Sequence, residues 1–160
     1  MSIRNAAKAV ILHENKILLT KCVNSKGDVF YTLPGGRQNQ YETMEEAVVR
    51  ECFEETGYNV AVDRFVALHE EIVTDEIYRE KMPDLTHKIF HVFLCHLSNT
   101  TRREPIEVDD NQIDIEWFEI EKIKDIIFYP KAIQEIIFNI VKEDKMIFLD
   151  SIKSECTLAL

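Results

Sequence analysis

The chain has 160 residues, a length that fits one domain with a hydrophobic core of its own. Its formal net charge of −10 and the lack of a basic stripe exclude binding to duplex nucleic acid through phosphate contacts. Apolar runs are short or interrupted by polar residues, so the sequence predicts no membrane span and no signal peptide. Four widely spaced cysteines indicate reduced thiols, and we expect a cytoplasmic protein.

The first third of the chain predicts three strands. Residues 6–12 and 16–22 are β-rich apolar segments joined by "HENK", which is typical of a hairpin. A turn at residues 24–28 leads into "VFYTLPGG", where a proline and two glycines end the strand. A long helical segment follows.

The rest of the chain returns to strands and closes with a helix. Residues 64–73, 88–97 and 113–120 are rich in apolar strand formers. A stripe at helical spacing predicts the last helix: Ile133, Ile136, Ile137, Ile140 and Val141. These elements predict an α+β fold, a layered domain with a mixed sheet that spans residues 1–150, with a C-terminal tail at residues 151–160.

The segment "GRQNQYETMEEAVVRECFEETGY" contains a helix whose two ends are specified. Thr43 and Glu46 have the spacing of a capping box, and Gly57 stands where a glycine commonly ends a helix. These signals fix the helical phase. Glu51, Glu54 and Glu55 are then neighbours at positions i, i+3 and i+4, and they lie towards the apolar side of the helix.

Two interpretations compete for these three acids. The ordinary interpretation is an acidic helix face exposed to solvent. The position of these acids on the apolar side weakens it, because burying an ionised carboxylate without a partner costs roughly several kcal/mol. Arg50 offsets part of the repulsion through Glu46 or Glu54, and one arginine does not neutralise the cluster. A hard cation such as Mg²⁺ or Mn²⁺ does, since it prefers carboxylate and carbonyl oxygens.

The spacing of this segment resembles a known signature. Gly36, Glu42 and the run from Arg50 to Tyr58, "RECFEETGY", match the Nudix box G-x5-E-x7-R-E-U-x-E-E-x-G-U at every charged and glycine position. The preceding "YTLPGG" resembles the usual lead-in, with Tyr31 in place of the common tryptophan. The chain therefore resembles the Nudix (MutT-like) hydrolase family from about residue 6 to residue 141.

The resemblance implies an α/β/α sandwich built on a mixed sheet and a hydrolase that depends on Mg²⁺ or Mn²⁺. By analogy the metal ligands are Glu51, Glu54, Glu55 and the Gly35 carbonyl. Catalytic roles fall to Glu51 and Glu54, with Arg50 and Glu42 orienting the ligands. We expect substrate contacts from Tyr31, Gly35, Gly36 and Arg37.

The implied reaction is hydrolysis of the pyrophosphate bond in a nucleoside diphosphate linked to another group, with ADP-ribose or a related nucleotide sugar favoured by the overall layout. The general base is either a box glutamate, Glu51 or Glu54, or one of four acids on the later loop: Glu107, Asp109, Asp110 and Asp114. A non-catalytic nucleotide sensor is the alternative function. The partner is a small nucleotide, and a homodimer is left open.

Overall fold

The computed structural model describes residues 3–149 and 151–155. Residues 1–2 and 150 of the predicted domain and residues 156–160 of the predicted tail lie outside the described residues. Two short 3-10 helices, Pro83–Leu85 and Ile120–Asp125, join the main elements. In chain order these are β1 Arg4–His13, β2 Lys16–Val23, β3 Val29–Thr32, α1 Met44–Thr56, β4 Val60–Val73, α2 Glu76–Lys81, β5 His87–Leu97, β6 Gln112–Glu119, α3 Lys131–Lys142, β7 Ile147–Phe148 and β8 Ile152–Ser154.

The strands form one mixed sheet in the order β3-β2-β1-β5-β4-β7, with β6 paired to β2 and β8 to β4. β1 and β5 are parallel over nine residue pairs, whereas β4 and β5 are antiparallel. Each pair satisfies the backbone donors and acceptors of long, largely buried strands. The predicted mixed sheet is confirmed.

A helix covers each face of the sheet. α1 packs on small and apolar side chains, among them Ala7, Ala9 and Ile11 of β1. α3 packs on the opposite face through Ile133, Ile137 and Ile140, which are fully buried. Successive side chains of β1 point alternately towards α1 and towards α3, because a strand has a two-residue period. The layered arrangement predicted from the sequence is confirmed.

β1 and β2 pair only beside their hairpin, at Leu12–Ile17 and His13–Lys16. Further along, a loop lies against the edge of β1 instead, since Ala7 N donates to Gly36 O and Ala9 N to Pro34 O, each at 2.9 Å. The glycine loop is thereby fixed beside the sheet, and space opens where the two strands diverge.

The sequence misplaced the start of one strand and missed another. β4 begins at Val60 rather than at residue 64, and register shifts between Val62 and Arg64 and between Phe65 and Ala67 break its alternating pattern. β8 lies within the predicted tail and pairs in parallel with β4. A strand of three residues is defined by its partner, because it is too short to show a period. The single domain at residues 1–150 stays a prediction.

Among the described residues, no helix combines the length and the apolar character that crossing a membrane requires.

Candidate active site

Local interactions set the position of α1. Thr43 Oγ1 accepts from Glu46 N at 3.2 Å, while Thr43 N donates to Glu46 Oε2 at 2.8 Å, which completes the predicted capping box. Gly57 ends the helix with φ 75°, a left-handed conformation that suits glycine. Because both ends are fixed, the side chains of the third and fourth turns have a defined direction.

Arg50 holds three carboxylates around one guanidinium. Its Nε donates to Glu42 Oε1 at 2.7 Å and its Nη2 to Glu42 Oε2 at 2.9 Å. Its Nη1 donates to Glu51 Oε1 at 2.9 Å and to Glu54 Oε2 at 2.8 Å. The expected pair with Glu54 is present, but the alternative pair with Glu46 was wrong, since the Glu46 carboxylate accepts from Thr43 in the cap.

Glu55 is the most enclosed of the acids, with 5% of its surface exposed. Its Oε2 accepts from Gly35 N at 2.9 Å, which ties the helix to the glycine loop. Lys8 of β1 lies beside the same loop and donates to Gly35 O and, at 3.2 Å, to Leu33 O. Sequence reasoning missed Lys8, although a lysine within the apolar run "AAKAV" was a usable signal.

Gly36 allows Glu51 to lie against the loop. A Cβ at position 36 would stand under 3.0 Å from the carboxylate carbon and both oxygens of Glu51. Any side chain at this position would push the Glu51 carboxylate away from the loop. The loop and the helix therefore form two sides of one acidic site.

The pKa values of the glutamates in this site are shifted in different directions. Burial raises the pKa of Glu55 to about 7, with Lys8 opposing the shift. Burial also raises the pKa of Glu51, while its hydrogen bond from Arg50 lowers it. The hydrogen bond from Arg50 holds the pKa of Glu42 below its ordinary value. Glu42 thus stays ionised to orient Arg50, and Glu55 is the acid that most needs a cation.

These residues fit a hard divalent cation. Of the three glutamates bound by Arg50, Glu51 and Glu54 each keep one carboxylate oxygen, Oε2 and Oε1 respectively, without a hydrogen bond among the described residues. Carboxylate oxygens next to a backbone carbonyl suit Mg²⁺ or Mn²⁺. Across residues 3–149 and 151–155 no three acids, histidines or cysteines already converge as a preformed metal cluster. Ligation would therefore require side-chain adjustment.

We call the space beside these acids the acid cleft. It measures about 400 Å³ and includes Arg37 and Arg50 on its walls. The later loop is held there because Ile106 N and Glu107 N donate to Glu54 O at 3.0 and 3.2 Å. Its acidic lining is Glu51, Glu54, Glu55, Glu107, Asp109 and Asp110.

Three of the four loop acids proposed as a general base thus reach the acid cleft. The fourth, Asp114, is exposed on β6, and its Oδ1 accepts from Ile115 N at 2.8 Å. Asp114 lines neither the acid cleft nor the neighbouring pocket.

A second cavity of about 460 Å³ lies where β1 and β2 diverge, and we call it the sheet pocket. Residues from α2 and the 3-10 helix after it, including Tyr78 and Leu85, also line it, as does Tyr129. Its strand lining consists mostly of even-numbered residues: Arg4, Ala6, Lys8, Thr20, Cys22, Phe30, Thr32, Lys88, Phe90 and Gln112, with Val23 at the end of β2.

The acid cleft and the sheet pocket adjoin each other. Both are lined by Arg4, Gly36 and Glu55, and by Asp109 and Asp110 from the later loop. The sheet pocket has the volume of an ordinary small-molecule site. A single ligand can therefore extend from the acids into the pocket.

Three of the four residues expected to contact the substrate line a cavity, and the fourth does not. Gly35 and Gly36 line the sheet pocket, and Arg37 lines the acid cleft, where its carbonyl accepts from Arg50 Nη2 at 3.0 Å. Tyr31 lies outside both cavities. Its ring packs against Phe118 at 4.8 Å between centroids, and its hydroxyl donates to Glu116 at 3.0 Å.

Several known proteins are similar to this chain. A "Putative 8-oxo-dGTP diphosphatase" of Bacillus subtilis (strain 168) is 36% identical over 84 residues, 52% of this chain and 50% of that protein. An "ADP-ribose pyrophosphatase" of Methanocaldococcus jannaschii is 50% identical over 52 residues, 32% of this chain and 31% of that protein. The matches thus span half or less of these relatives.

Solved structures share the fold. The crystal structure of a UDP-X diphosphatase superposes with a TM-score of 0.67 at 21% identity, covering 94% of this chain and 68% of that one. An ADP-ribose pyrophosphatase from Streptococcus suis 89-1591 gives 0.62 at 18% identity, covering 96% and 100%. At such identities the likeness shows the fold alone. The family model of the NUDIX domain matches residues 3–137, so the chain belongs to the NUDIX family.

Proposed function

We propose that the protein hydrolyses the pyrophosphate bond of a nucleoside diphosphate linked to another group, with Mg²⁺ or Mn²⁺ as cofactor. One observation supports this most strongly: a cleft lined by carboxylates adjoins a pocket of about 460 Å³, and Arg4 lines both. A diphosphate at the junction would place its phosphates beside the acids and its attached group in the sheet pocket.

Glu51, Glu54, Glu55 and the Gly35 carbonyl would hold the cation. A bound divalent ion screens the phosphate charge and stabilises the leaving phosphate. Arg50 keeps two of the acids in place through hydrogen bonds of 2.8–2.9 Å. Charge-assisted bonds of this length fix geometry well.

Two cations of β1 complement the acids. Lys8 lies against the glycine loop, and the Arg4 side chain makes no ion pair or hydrogen bond with the described residues. In a protein of net charge −10, local cations are needed to attract an anionic substrate. We assign Arg4 to a phosphate of the substrate.

The proton of the attacking water must pass to a base within hydrogen-bond reach. The candidates in the acid cleft are Glu51 and Glu54 on α1 and Glu107, Asp109 and Asp110 on the loop. Replacing each candidate in turn by its amide, Glu by Gln or Asp by Asn, identifies the base. Loss of the base lowers kcat and shifts the acidic limb of the pH–rate profile.

ADP-ribose and related nucleotide sugars are the first substrates to test. The relative from M. jannaschii bears the name of an ADP-ribose pyrophosphatase, which supports that order. The panel also includes nucleoside triphosphates and dinucleoside polyphosphates, assayed with Mg²⁺ or Mn²⁺ for phosphate-containing products. Hydrolysis of a linked nucleoside diphosphate is the expected result.

The decisive variants are Glu54→Gln and Glu55→Gln. Each removes a charged oxygen from the cation site while keeping the side-chain shape, so we expect kcat to fall by roughly 100-fold or more. Glu45→Gln is the matched control, because Glu45 is exposed on the first turn of the same helix. Full activity in both decisive variants would contradict the assignment.

The non-catalytic sensor predicts a different outcome. Such a protein would bind ADP-ribose tightly in calorimetry and release no AMP over many hours with either cation. Detection of AMP that depends on Glu54 would exclude it.

A further inference from the structure

A buried polar cluster forms part of the sheet pocket away from the acids. Lys88 lines the sheet pocket but not the acid cleft. Its ammonium group donates to Tyr129 Oη at 2.6 Å and lies 2.8 Å from Glu71 Oε2. Tyr129 Oη in turn donates to the same Glu71 oxygen. Two strands and the loop before α3 therefore meet at this cluster.

The cluster is nearly closed to solvent. The side chains of Lys88 and Glu71 are 11% and 10% exposed, and the two residues are register partners on β5 and β4. The Lys88 ammonium group also lies 4.9 Å from the ring centroid of Tyr129 and 5.6 Å from that of Phe90. The ammonium position is thus fixed from several sides.

Stability alone does not account for such a pair. A buried ion pair is costly to desolvate, and apolar side chains of similar volume often serve a fold equally well. An ammonium group has three donors, and two of them meet Tyr129 and Glu71. The third donor makes no further hydrogen bond with the described residues, and since Lys88 lines the sheet pocket we infer that this donor is left for a ligand.

The charge of the cluster determines the kind of ligand. Glu71 balances Lys88, so the cluster offers a directed donor with little net charge. Such a donor suits a neutral oxygen, whereas the diphosphate finds the unpaired Arg4 at the junction with the acid cleft. Neutral oxygens occur on both groups attached to the diphosphate, as base carbonyls and as sugar hydroxyls.

We propose that Lys88, held by Glu71 and Tyr129, is the specificity-determining residue of the sheet pocket and donates a hydrogen bond to a neutral oxygen of the group bound there. This assignment rests on the proposed function for the identity of that group. It adds a contact outside the acidic set, made by a residue that ligates no metal and takes no part in bond cleavage.

The test measures binding, so that it does not depend on turnover. The ligands are the two halves of a nucleotide sugar: GMP, UMP and AMP carry the base, while ribose 5-phosphate and glucose 1-phosphate carry the sugar. Dissociation constants are measured by calorimetry with Mg²⁺ for the wild type and for the Lys88→Met/Glu71→Met double variant. Replacing both charges together avoids an unpaired buried carboxylate.

We expect Kd to rise about 10- to 100-fold for one class of half-product, the loss of a hydrogen bond from a charged donor. A loss confined to GMP and UMP identifies a base carbonyl as the acceptor. A loss confined to the two sugar phosphates identifies a sugar hydroxyl. Either result supports the proposal, and it does so even if the protein hydrolyses nothing in the substrate panel.

Three results would overturn the proposal: unchanged affinity for every half-product, an equal loss for inorganic phosphate, or no binding of any half-product by the wild type. Lys21→Met is the matched control, because Lys21 lies on β2 outside both cavities. The double variant must retain its unfolding temperature within a few degrees. If it does not, Lys88→Gln, which keeps a polar group beside Glu71, is measured with the same ligands and is held to the same outcomes.

Discussion

The acid cleft and the sheet pocket are built in different ways. Three residues of the cleft, Arg50, Glu51 and Glu54, come from one helix. Arg50 binds both of these glutamates and also Glu42, so the whole set falls within 13 consecutive positions. The pocket takes one to three residues from each of several strands and adds residues from α2 and the segment before α3.

Under the proposed function, this difference would separate the catalytic residues from those that recognise the substrate. The spacing along one helix fixes the acids relative to each other, so their arrangement survives changes elsewhere in the chain. The pocket depends on how distant segments meet, and its lining can change without disturbing the acids. We therefore expect cleft substitutions to lower kcat and pocket substitutions to raise KM.

Gly36→Ala should have the largest effect, because it displaces an acid of the cleft, although Gly36 borders both cavities. The new Cβ would displace the Glu51 carboxylate, whose atoms lie under 3.0 Å from its position. A displacement of this kind in a catalytic site costs about 100-fold in kcat. Steady-state kinetics measure the loss, and circular dichroism checks the fold.

Binding of GMP or ribose 5-phosphate provides the comparison for that variant. If affinity in the sheet pocket falls as much as kcat, the two regions are not separable in the way proposed.

The pH dependence of stability tests whether Glu55 differs from the other acids of the cleft in its pKa. The pKa of Glu55 is about 7 in the folded protein, against an ordinary value of 4.5 for a glutamate, so its protonated form favours folding. This contribution is complete below about pH 4.5 and is lost as pH rises through about 7. The shift corresponds to about 3 kcal/mol between pH 4.5 and pH 8.

Thermal unfolding of metal-chelated protein measures this effect. We expect Glu55→Gln to gain stability relative to the wild type as pH rises from 5 to 8, since glutamine keeps the bond from Gly35 N without the charge. A constant difference between the two proteins over that interval would show that Glu55 does not titrate there. Added Mg²⁺ should reduce the difference, because it stabilises the ionised form.

Thr43→Ala should have the smallest effect and tests how locally the acids are specified. It removes the acceptor for Glu46 N at the start of α1 and should cost about 1 kcal/mol of unfolding free energy. Denaturant unfolding measures the loss. Thr43→Ser, which keeps the hydroxyl, is the control and should resemble the wild type. KM should not change, because Thr43 lines neither the acid cleft nor the sheet pocket.

The two long helices and the acids of the first one could be predicted from local sequence patterns. The capping box at Thr43 and Glu46 and the terminal Gly57 fixed the phase of α1, and that phase predicted which acids share a side. The isoleucine stripe of α3 predicted a buried face in the same way, and Ile133, Ile137 and Ile140 are fully buried. Helical periodicity is visible in sequence because it depends on neighbours three and four residues apart.

Only the tertiary structure decided which distant residues join these elements. Lys8 lies beside the glycine loop because β1 and β2 diverge, and Lys88 meets Glu71 and Tyr129 because β4, β5 and the loop before α3 converge. The tail strand β8 exists through its pairing with β4. Contacts between segments far apart in the chain leave no local period, so the sequence determined the acids of the cleft and the fold determined the pocket.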